Sequence, residues 1–410
     1  MSTHGPLLRN RDYMLLWSGQ VVSTLGSAAT RVVYPLLILS LTGSPAAAGI
    51  AAALGSIPYL VFSLPAGALI DRWDRKRIMI VCDVGRALTV LTVPIALWLD
   101  VLSVWQLYAA AFIEGTFFVF FNIAEVAALP RVVPAVQLPQ AAAQNEAAFS
   151  AAHIVGPSLG TLLFQALGRA APFIADAISF LVSSVALWLI RTEFRLPKKA
   201  APAGNLRTEI HEGLRWLWRH PLIRYMAFVT GSLNLVNAGT MLIVIVLAKE
   251  MGASEIDIGL IFSIGGAGGI VGALIGGQLQ RRFSFGQVII CVLWLNVALF
   301  SLYAFVPAYL LLGVVAALLY MLGPIYNVVQ FSYRLALIPD ALQGRVNSTF
   351  RLLAFGFMPV GAALSGLLLE RIGAVGTVWV FTLWFLALAI LTTFNRHVRE
   401  ARPIAEVARA

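Results

Sequence analysis

Charge and cysteine are both scarce in this sequence. Charged residues occupy 12% of its 410 positions and hydrophobic residues 60%, whereas an average soluble domain carries roughly 25% charged residues. The two cysteines, Cys82 and Cys291, stand far apart inside apolar stretches and provide neither a disulfide framework nor a metal-ligand spacing. A soluble core of this size could not hide so much apolar surface, so the composition indicates an integral membrane protein.

Motifs for nucleotide hydrolysis and covalent chemistry are also missing. No Gly-x-x-x-x-Gly-Lys-Ser/Thr loop occurs, which argues against ATP-driven pumping by this chain alone. No nucleophile–base motif or metal-ligand cluster stands out, so we expect no enzyme, no metal and no cofactor. The net charge of +10 does not predict a nucleic-acid partner, because the placement of the basic residues has another explanation.

Apolar stretches long enough to cross a bilayer as a helix, about 20 residues, recur twelve times. In the first half they lie near 14–40, 48–70, 78–99, 103–126, 138–167 and 170–190. In the second half they lie near 222–248, 257–279, 285–306, 308–333, 345–370 and 373–394. We predict an all-α integral membrane protein with twelve transmembrane helices.

The basic residues are distributed unequally about these spans. Of the 29 lysines and arginines, 24 lie on the side of the N-terminus, three lie on the opposite side, and Arg31 and Arg86 lie within spans. Because cytoplasmic loops collect positive residues, we expect a multi-pass protein of the cell membrane with both termini in the cytoplasm.

The two halves of the chain resemble each other weakly. At an offset of about 205 residues, Val133-Pro134 matches Ile338-Pro339 and Gly156 matches Gly361. We predict a six-helix bundle over 1–190, a cytoplasmic linker over 191–221, and a second bundle with a cytoplasmic tail over 222–410. A solute site is expected near the midplane between the bundles.

The linker contains a helical pattern of apolar residues. Leu206, Ile210, Leu214 and Leu217 recur at helical spacing among charged residues. This pattern predicts an amphipathic helix that lies on the inner membrane surface or against the bundle.

The loop after the second span carries a glycine–aspartate–basic signature. Residues 67–77 read Gly-Ala-Leu-Ile-Asp-Arg-Trp-Asp-Arg-Lys-Arg. This resembles the signature between the second and third helices of major facilitator superfamily transporters, where glycine lets helices approach closely. The resemblance implies the major facilitator fold, with this loop as a latch of the outward-facing state; a simple topology anchor is the alternative. The gate residues so implied are Gly67, Asp71, Arg72, Arg75 and Lys76.

The fifth span contains the segment Gly156-Pro157-Ser-Leu-Gly160. It resembles the glycine–proline signature of the antiporter branch of this superfamily, which bends the fifth helix and seals a proton leak. Ala143, Ala152 and Thr161 stand where the full pattern has glycine. An ordinary proline kink is the alternative.

Further short motifs extend the resemblance over nearly the whole chain, from Leu41-Thr42-Gly43-Ser44-Pro45 through Leu129-Pro130-Arg131 to Arg345-Val346-Asn347-Ser348. This set is similar to the bacterial drug and siderophore efflux branch, which includes macrolide efflux proteins and the enterobactin exporter. The resemblance implies proton-driven export, with the proton gradient as the energy source and no cofactor. Many relatives have an acidic residue where Ser27 stands, so the first-helix proton carrier of that branch is in doubt.

Ionisable residues inside spans are functional candidates, because a charge in the bilayer is costly. Glu114 lies near the centre of the fourth span, and we predict that it binds the transported proton. Arg31 of the first span is its expected partner, and a static ion pair between the two is the alternative.

Other intramembrane polar residues receive structural interpretations. Asp83 and Arg86 lie three apart on the third span, which predicts an ion pair on one helical face that supports the loop, with Arg131 as a further supporting charge. Asp176 is interpreted as a local helix or interface bond, and His153 as an interhelical hydrogen-bonding residue.

Polar residues on spans one, four, seven and ten are predicted to line the solute cavity: Gln20, Thr24, Asn122, Asn234, Asn237, Tyr320 and Asn327. A few hydrogen-bonding groups in an apolar wall suit a bulky hydrophobic solute, although the asparagines are equally consistent with interhelical bonds.

The leading hypothesis is a monomeric secondary exporter of small hydrophobic or amphipathic compounds, such as drugs or antibiotics, by proton antiport and alternating access. Three alternatives stay open: an exporter dedicated to one siderophore or natural product, a lysophospholipid transporter, and a non-transporting membrane sensor.

Overall fold

The computed structural model describes residues 7–70, 73–194, 206–339 and 342–401, and these are almost entirely helical. In the first part of the chain the helices are α1 Arg11–Thr42, α2 Pro45–Ile70, α3 Arg75–Trp98, α4 Val104–Val132, α5 Leu138–Leu167, α6 Ala171–Leu189 and α7 Leu206–Arg219. They continue as α8 Pro221–Glu250, α9 Glu255–Arg282, α10 Phe285–Leu302, α11 Tyr309–Leu337, α12 Gln343–Gly356, α13 Met358–Phe394 and α14 Arg396–Arg399.

Several helices begin at residues whose side chains satisfy free backbone amides. The Asn10 side chain accepts from the Tyr13 amide at 3.2 Å before α1, and the Asp74 carboxylate accepts from the Lys76 amide at 2.9 Å before α3. Ser103 caps α4 in the same way. Such caps satisfy amides that have no partner within the helix, so helix starts are encoded locally even where apolar residues dominate.

The number of membrane crossings agrees with the predicted fold class. Among the described residues, eleven helical segments are long and apolar enough to cross a membrane, and the last of them, Arg345–Phe394, has 50 residues. A helix of that length would measure about 75 Å, far more than the roughly 30 Å of a bilayer core. Gly373 interrupts it with φ +73°, at the predicted boundary between the last two spans. The all-α, twelve-span fold is confirmed.

The eleventh span is divided where one helix was predicted. The predicted span 345–370 begins in α12, breaks at Phe357 and continues in α13. Pro359 lies at the start of α13, and because proline has no amide hydrogen it favours the first turn of a helix over its interior.

The helices pack into two compact units. The first contains Met1–Lys199 and Ser254–Ser263, and the second contains Ala200–Ala253 and Ile264–Ala410. In the first unit α1 packs against α5 and α6, α2 against α4, and α3 against α4 and α6. In the second unit α8 packs against α12 and α13, and α10 packs against α11 and α13.

The linker helix α7 packs on α12 within the second unit. A Cβ atom on Gly213 would lie 2.6 Å from the carbonyl oxygen of Arg345, so α7 approaches the backbone of α12 closely. Arg345 also forms an ion pair with Glu212. Of the two placements left open for this helix, the structure shows the one against the bundle.

Each unit repeats one tight helix contact. A Cβ atom on Gly156 of α5 would lie 2.5 Å from the Cβ of Ala28 in α1, and a Cβ atom on Gly361 of α13 would lie 2.6 Å from the carbonyl carbon of Leu235 in α8. Only glycine permits such backbone proximity. The sequence match between Gly156 and Gly361 therefore corresponds to equivalent packing positions.

Candidate functional site

Arg86 of α3 is the centre of a polar network inside the first unit. Its side chain is 5% exposed, and its Nε and Nη2 atoms donate to Oε1 of Glu114 in α4 at 3.0 and 2.7 Å. The guanidinium carbon also lies 4.0 Å from the ring centroid of Phe180 in α6. The charge of Arg86 is thus balanced by a carboxylate and stabilised by an aromatic face.

The network extends from Arg86 to α1 and α6. Nη2 of Arg86 donates to Oγ of Ser27 at 3.2 Å, and the Ser27 hydroxyl donates to Oδ1 of Asp176 at 3.4 Å. Asp176 is 3% exposed, and a Cβ atom on Gly26 would lie 2.8 Å from its Oδ1. Four helices therefore meet at this network, and glycine in α1 leaves the space for the Asp176 carboxyl.

The partner expected for Glu114 requires correction. Nη1 of Arg31 lies 2.9 Å from Nε2 of His153 in α5, whereas the ion pair of Glu114 is with Arg86. Helices α1 and α3 both pack against α4, and α1 also packs against α5. The Arg31 side chain faces α5, and the Arg86 side chain faces α4. The direction in which each helix faces decides the pairing.

His153 links α1 and α5, in accordance with its interpretation as an interhelical residue. Its Nδ1 lies 3.0 Å from the carbonyl oxygen of Phe149, so Nδ1 carries the hydrogen in this bond. Nε2 is then an acceptor and receives the Arg31 donor. This arrangement requires a neutral imidazole.

The ion pair expected between Asp83 and Arg86 is also corrected. Arg86 directs its donors to Glu114 and Ser27, and neither oxygen of Asp83 has a hydrogen-bond partner although the residue is fully buried. Ser183 of α6 is its polar neighbour, but no hydrogen bond of good geometry joins the two. A carboxylate without a partner in such a place is costly.

The gate signature is described only in part. Asp71 and Arg72 lie outside the described residues. Nη1 of Arg75 donates to the carbonyl oxygen of Ala127 near the end of α4 at 2.7 Å. Nζ of Lys76 donates to the carbonyl oxygens of Trp188 and Ile190 at the end of α6, at 3.1 and 2.6 Å. Lys76 therefore binds carbonyls at the C-terminus of α6, where positive charge is favoured, and Arg75 binds a carbonyl in the last third of α4.

The expected role of Gly67 in close helix packing is not seen. A Cβ atom on Gly67 would meet no heavy atom within 4 Å in the described structure. By contrast, Gly160 of the fifth-span signature faces the backbone of Ala29 in α1, and α5 runs through Pro157 as one helix. The antiporter role of this signature stays a prediction. Arg131 lies exposed in the last turn of α4.

The predicted cavity residues differ in their surroundings. Nδ2 of Asn234 donates to the carbonyl oxygen of Ala354 at 2.8 Å, so this asparagine links α8 to α12. Asn237 of α8 and Asn327 of α11 are exposed. The others are half-buried: Gln20, Thr24, Asn122 and Tyr320. Their role in binding a solute stays a prediction.

Sequence reasoning missed two members of the network, Ser27 as the bridge and Asp176 as its second acid. The available signal was an aspartate in the middle of an apolar span, which is a functional candidate in its own right. Among the described residues, no group of three or more His, Cys, Asp or Glu side chains is placed to hold a metal ion.

Comparison with known proteins places the chain among membrane transporters. The family model described as Major Facilitator Superfamily matches residues 16–323. The protein named multidrug efflux pump Tap from Mycolicibacterium fortuitum is 29% identical over 413 residues, which cover 97% of each chain. Macrolide efflux protein A from Streptococcus pyogenes is 26% identical over 371 residues, which cover 88% of this chain and 90% of that protein.

Solved structures show the same fold at low sequence identity. The nucleoside transporter NupG superposes with a TM-score of 0.75 at 15% identity and covers 95% of this chain and 100% of its own. A bacterial homologue of the iron transporter ferroportin, in an inward-facing state, gives a TM-score of 0.72 at 17% identity, with coverage of 94% and 100%.

Proposed function

The chain belongs to the major facilitator superfamily, and from this premise we propose that it exports small hydrophobic or amphipathic compounds in exchange for protons. It is a multi-pass membrane transporter rather than an enzyme, and its family implies a small-molecule substrate. The export direction is supported by the two efflux proteins that it resembles over most of its length.

The observation that carries the proposal is the ion pair of Glu114 and Arg86 inside the first unit. An acid within a membrane span is costly unless it is paired or neutralised. Protonation of Glu114 would leave Arg86 without its carboxylate partner, and release of the proton would restore the pair. One proton therefore changes the stability of this network, which is the requirement for coupling proton binding to a change between two states.

The proton gradient can supply enough energy for such export. Moving one charge through 100 mV is worth about 2.3 kcal/mol, which corresponds to a roughly 40-fold concentration ratio of the exported compound. A hydrophobic compound that leaks back slowly can be kept at low internal concentration by that ratio.

We further propose that both termini face the cytoplasm and that the loop containing Asp71 and Arg72 latches the cytoplasmic side. The excess of basic residues on one side supports this orientation. The binding of Arg75 and Lys76 to backbone carbonyls of the first unit supports a defined loop position. The monomer is the proposed functional form, with the proton gradient as its energy source.

Transport by purified protein in proteoliposomes tests the proposal. With an imposed pH gradient and a panel of hydrophobic dyes and antibiotics, the wild-type protein should accumulate at least one compound against its gradient. Glu114→Gln should lose accumulation while retaining exchange of that compound across the membrane. Glu146→Gln, a change of an exposed acid outside the network, is the matched control and should transport normally.

Uphill transport by Glu114→Gln at the wild-type rate would exclude Glu114 as the coupling residue. Transport of no compound in the panel would exclude general drug export. In that case loss of one secreted metabolite after gene deletion would identify a dedicated natural-product exporter instead.

A further inference from the structure

One guanidinium in the first unit is linked by hydrogen bonds to two acids on different helices. Arg86 binds Glu114 of α4 directly and reaches Asp176 of α6 through the hydroxyl of Ser27, with contacts of 3.2 and 3.4 Å. Arg86 and Asp176 are 5% and 3% exposed. Two carboxyls and one guanidinium thus belong to one hydrogen-bonded network, in which Arg86 and Asp176 are buried and Glu114 is partly exposed.

We propose that Asp176 is a second proton-binding carboxyl, and that it and Glu114 together hold one proton around Arg86. This inference rests on the proposed proton-coupled function and adds to it the residue that holds the proton when Glu114 is paired.

Charge balance gives the physical reason. With both acids ionised, the three groups have a net charge of −1, and with both protonated they have a net charge of +1. Only the state with one proton is neutral, and an unbalanced charge away from water is strongly disfavoured. Because Glu114 accepts both Arg86 donors at its Oε1 atom, the contacts fit an ionised Glu114 and a protonated Asp176.

The carboxyl of Asp176 forms both a bond within its own helix and a bond to α1, as the sequence interpretation allowed. Its Oδ1 accepts from the Ser179 hydroxyl of α6 and from the Ser27 hydroxyl of α1, each at 3.4 Å. Gly26 of α1 leaves room for the carboxyl, and only the bond to Ser27 connects it to Arg86. One turn later, Phe180 of the same helix faces the Arg86 guanidinium. Helix α6 therefore contributes to both ends of the network.

The charged groups that act on the Asp176 carboxyl are Arg86 of α3 and Glu114 of α4, and the nearby hydroxyls are Ser27 and Thr30 of α1 and Ser179 of α6. The other titratable groups on helices that pack against α6 have neighbours of their own. Asp83 of α3 lies beside Ser183, and Arg31 of α1 is bound to His153 of α5.

The first test compares coupled and uncoupled transport. In proteoliposomes with an imposed pH gradient and ethidium supplied outside, Asp176→Asn should reduce ethidium accumulation at least tenfold, because an amide cannot release a proton. Ethidium counterflow, which needs no net proton movement, should stay within about twofold of the wild-type rate. Glu146→Gln is again the control for an acid outside the network.

A second variant cuts the bridge and leaves both acids in place. Ser27→Ala should keep accumulation but shift its pH profile to alkaline values by about half a unit to one unit, because the ionised acid loses a hydrogen-bond donor. Ser184→Ala, a buried hydroxyl on α6 outside the network, should leave the profile unchanged.

A third measurement separates this inference from the proposed function. The infrared band of a protonated carboxyl should be present in detergent-solubilised wild-type protein at neutral pH and should weaken in Asp176→Asn but not in Glu146→Gln. If the wild-type protein transports nothing yet this difference is found, the export proposal is wrong while Asp176 remains a proton-binding residue.

Three results would overturn the inference: Asp176→Asn with the wild-type accumulation rate, an unchanged infrared band in that variant, or Ser27→Ala with an unshifted pH profile. The Ser27→Ala measurement tests the inference even if the Asp176→Asn variant fails to fold.

Discussion

The energetic coupling between Arg86 and Glu114 can be predicted from their contacts. Arg86→Gln removes the partner of an acid that stays in the membrane-spanning part of the first unit. Breaking a buried ion pair in this way costs about 3–5 kcal/mol, but the Glu114 side chain is 34% exposed, so about 2–3 kcal/mol is the better expectation. Loss of the guanidinium from the Phe180 face at 4.0 Å should add about 1–2 kcal/mol.

The double variant Arg86→Gln with Glu114→Gln separates these two contributions. It removes the unpaired carboxylate, so it should lose only the aromatic contact and the hydrogen bond to Ser27 and be about 2 kcal/mol more stable than Arg86→Gln alone. Unfolding of the purified protein by increasing SDS in mixed micelles measures the four free energies of this double-mutant cycle. If the destabilisation of the double variant equals the sum of the two single ones, the pair contributes no coupling and the reasoning is refuted.

Other predictions concern helix packing. Gly160→Val should destabilise the first unit by about 1–3 kcal/mol in the same assay, because a Cβ atom would lie 2.8 Å from the Cα of Ala29. Gly67→Ala should change the free energy of unfolding by no more than about 0.5 kcal/mol. Equal effects of the two substitutions would contradict the described packing. Gly213→Val should detach α7 from α12, because its Cβ atom would meet the Arg345 backbone, and limited proteolysis should then cut α7 faster. Glu212→Gln is the control for that variant and should change cleavage little, since exposed ion pairs contribute about 0–1 kcal/mol.

The membrane architecture could be predicted because hydropathy and span length act locally. An apolar stretch of sufficient length spans the bilayer whatever its neighbours are, and the Gly373 boundary followed from the spacing of apolar runs. The break at Phe357 was missed because two short helices in sequence have the same hydropathy as one long helix.

Partner assignments were less predictable, because they depend on how whole helices are rotated against each other. Glu114 was recognised from its depth alone, but the choice between Arg31 and Arg86 needs the direction of three helices. Successive side chains along an α-helix differ in direction by about 100°. An error of that size in the assumed orientation of a helix therefore assigns its side chains to the wrong neighbouring helix. Asp83 illustrates the same limit. Helical spacing predicted that Asp83 pairs with Arg86, but Arg86 pairs with Glu114 of the neighbouring helix.

The binding of Arg75 to a carbonyl of α4 and of Lys76 to the end of α6 has a consequence for the loop before them. Both anchors belong to the first unit, so the start of α3 travels with that unit and does not act as a hinge. One residue inserted between Trp73 and Asp74 would change the reach from this anchor back to Asp71 by as much as about 3.5 Å, with every side chain of the signature still present. The proposed latch therefore depends on the length of this loop as well as on its composition.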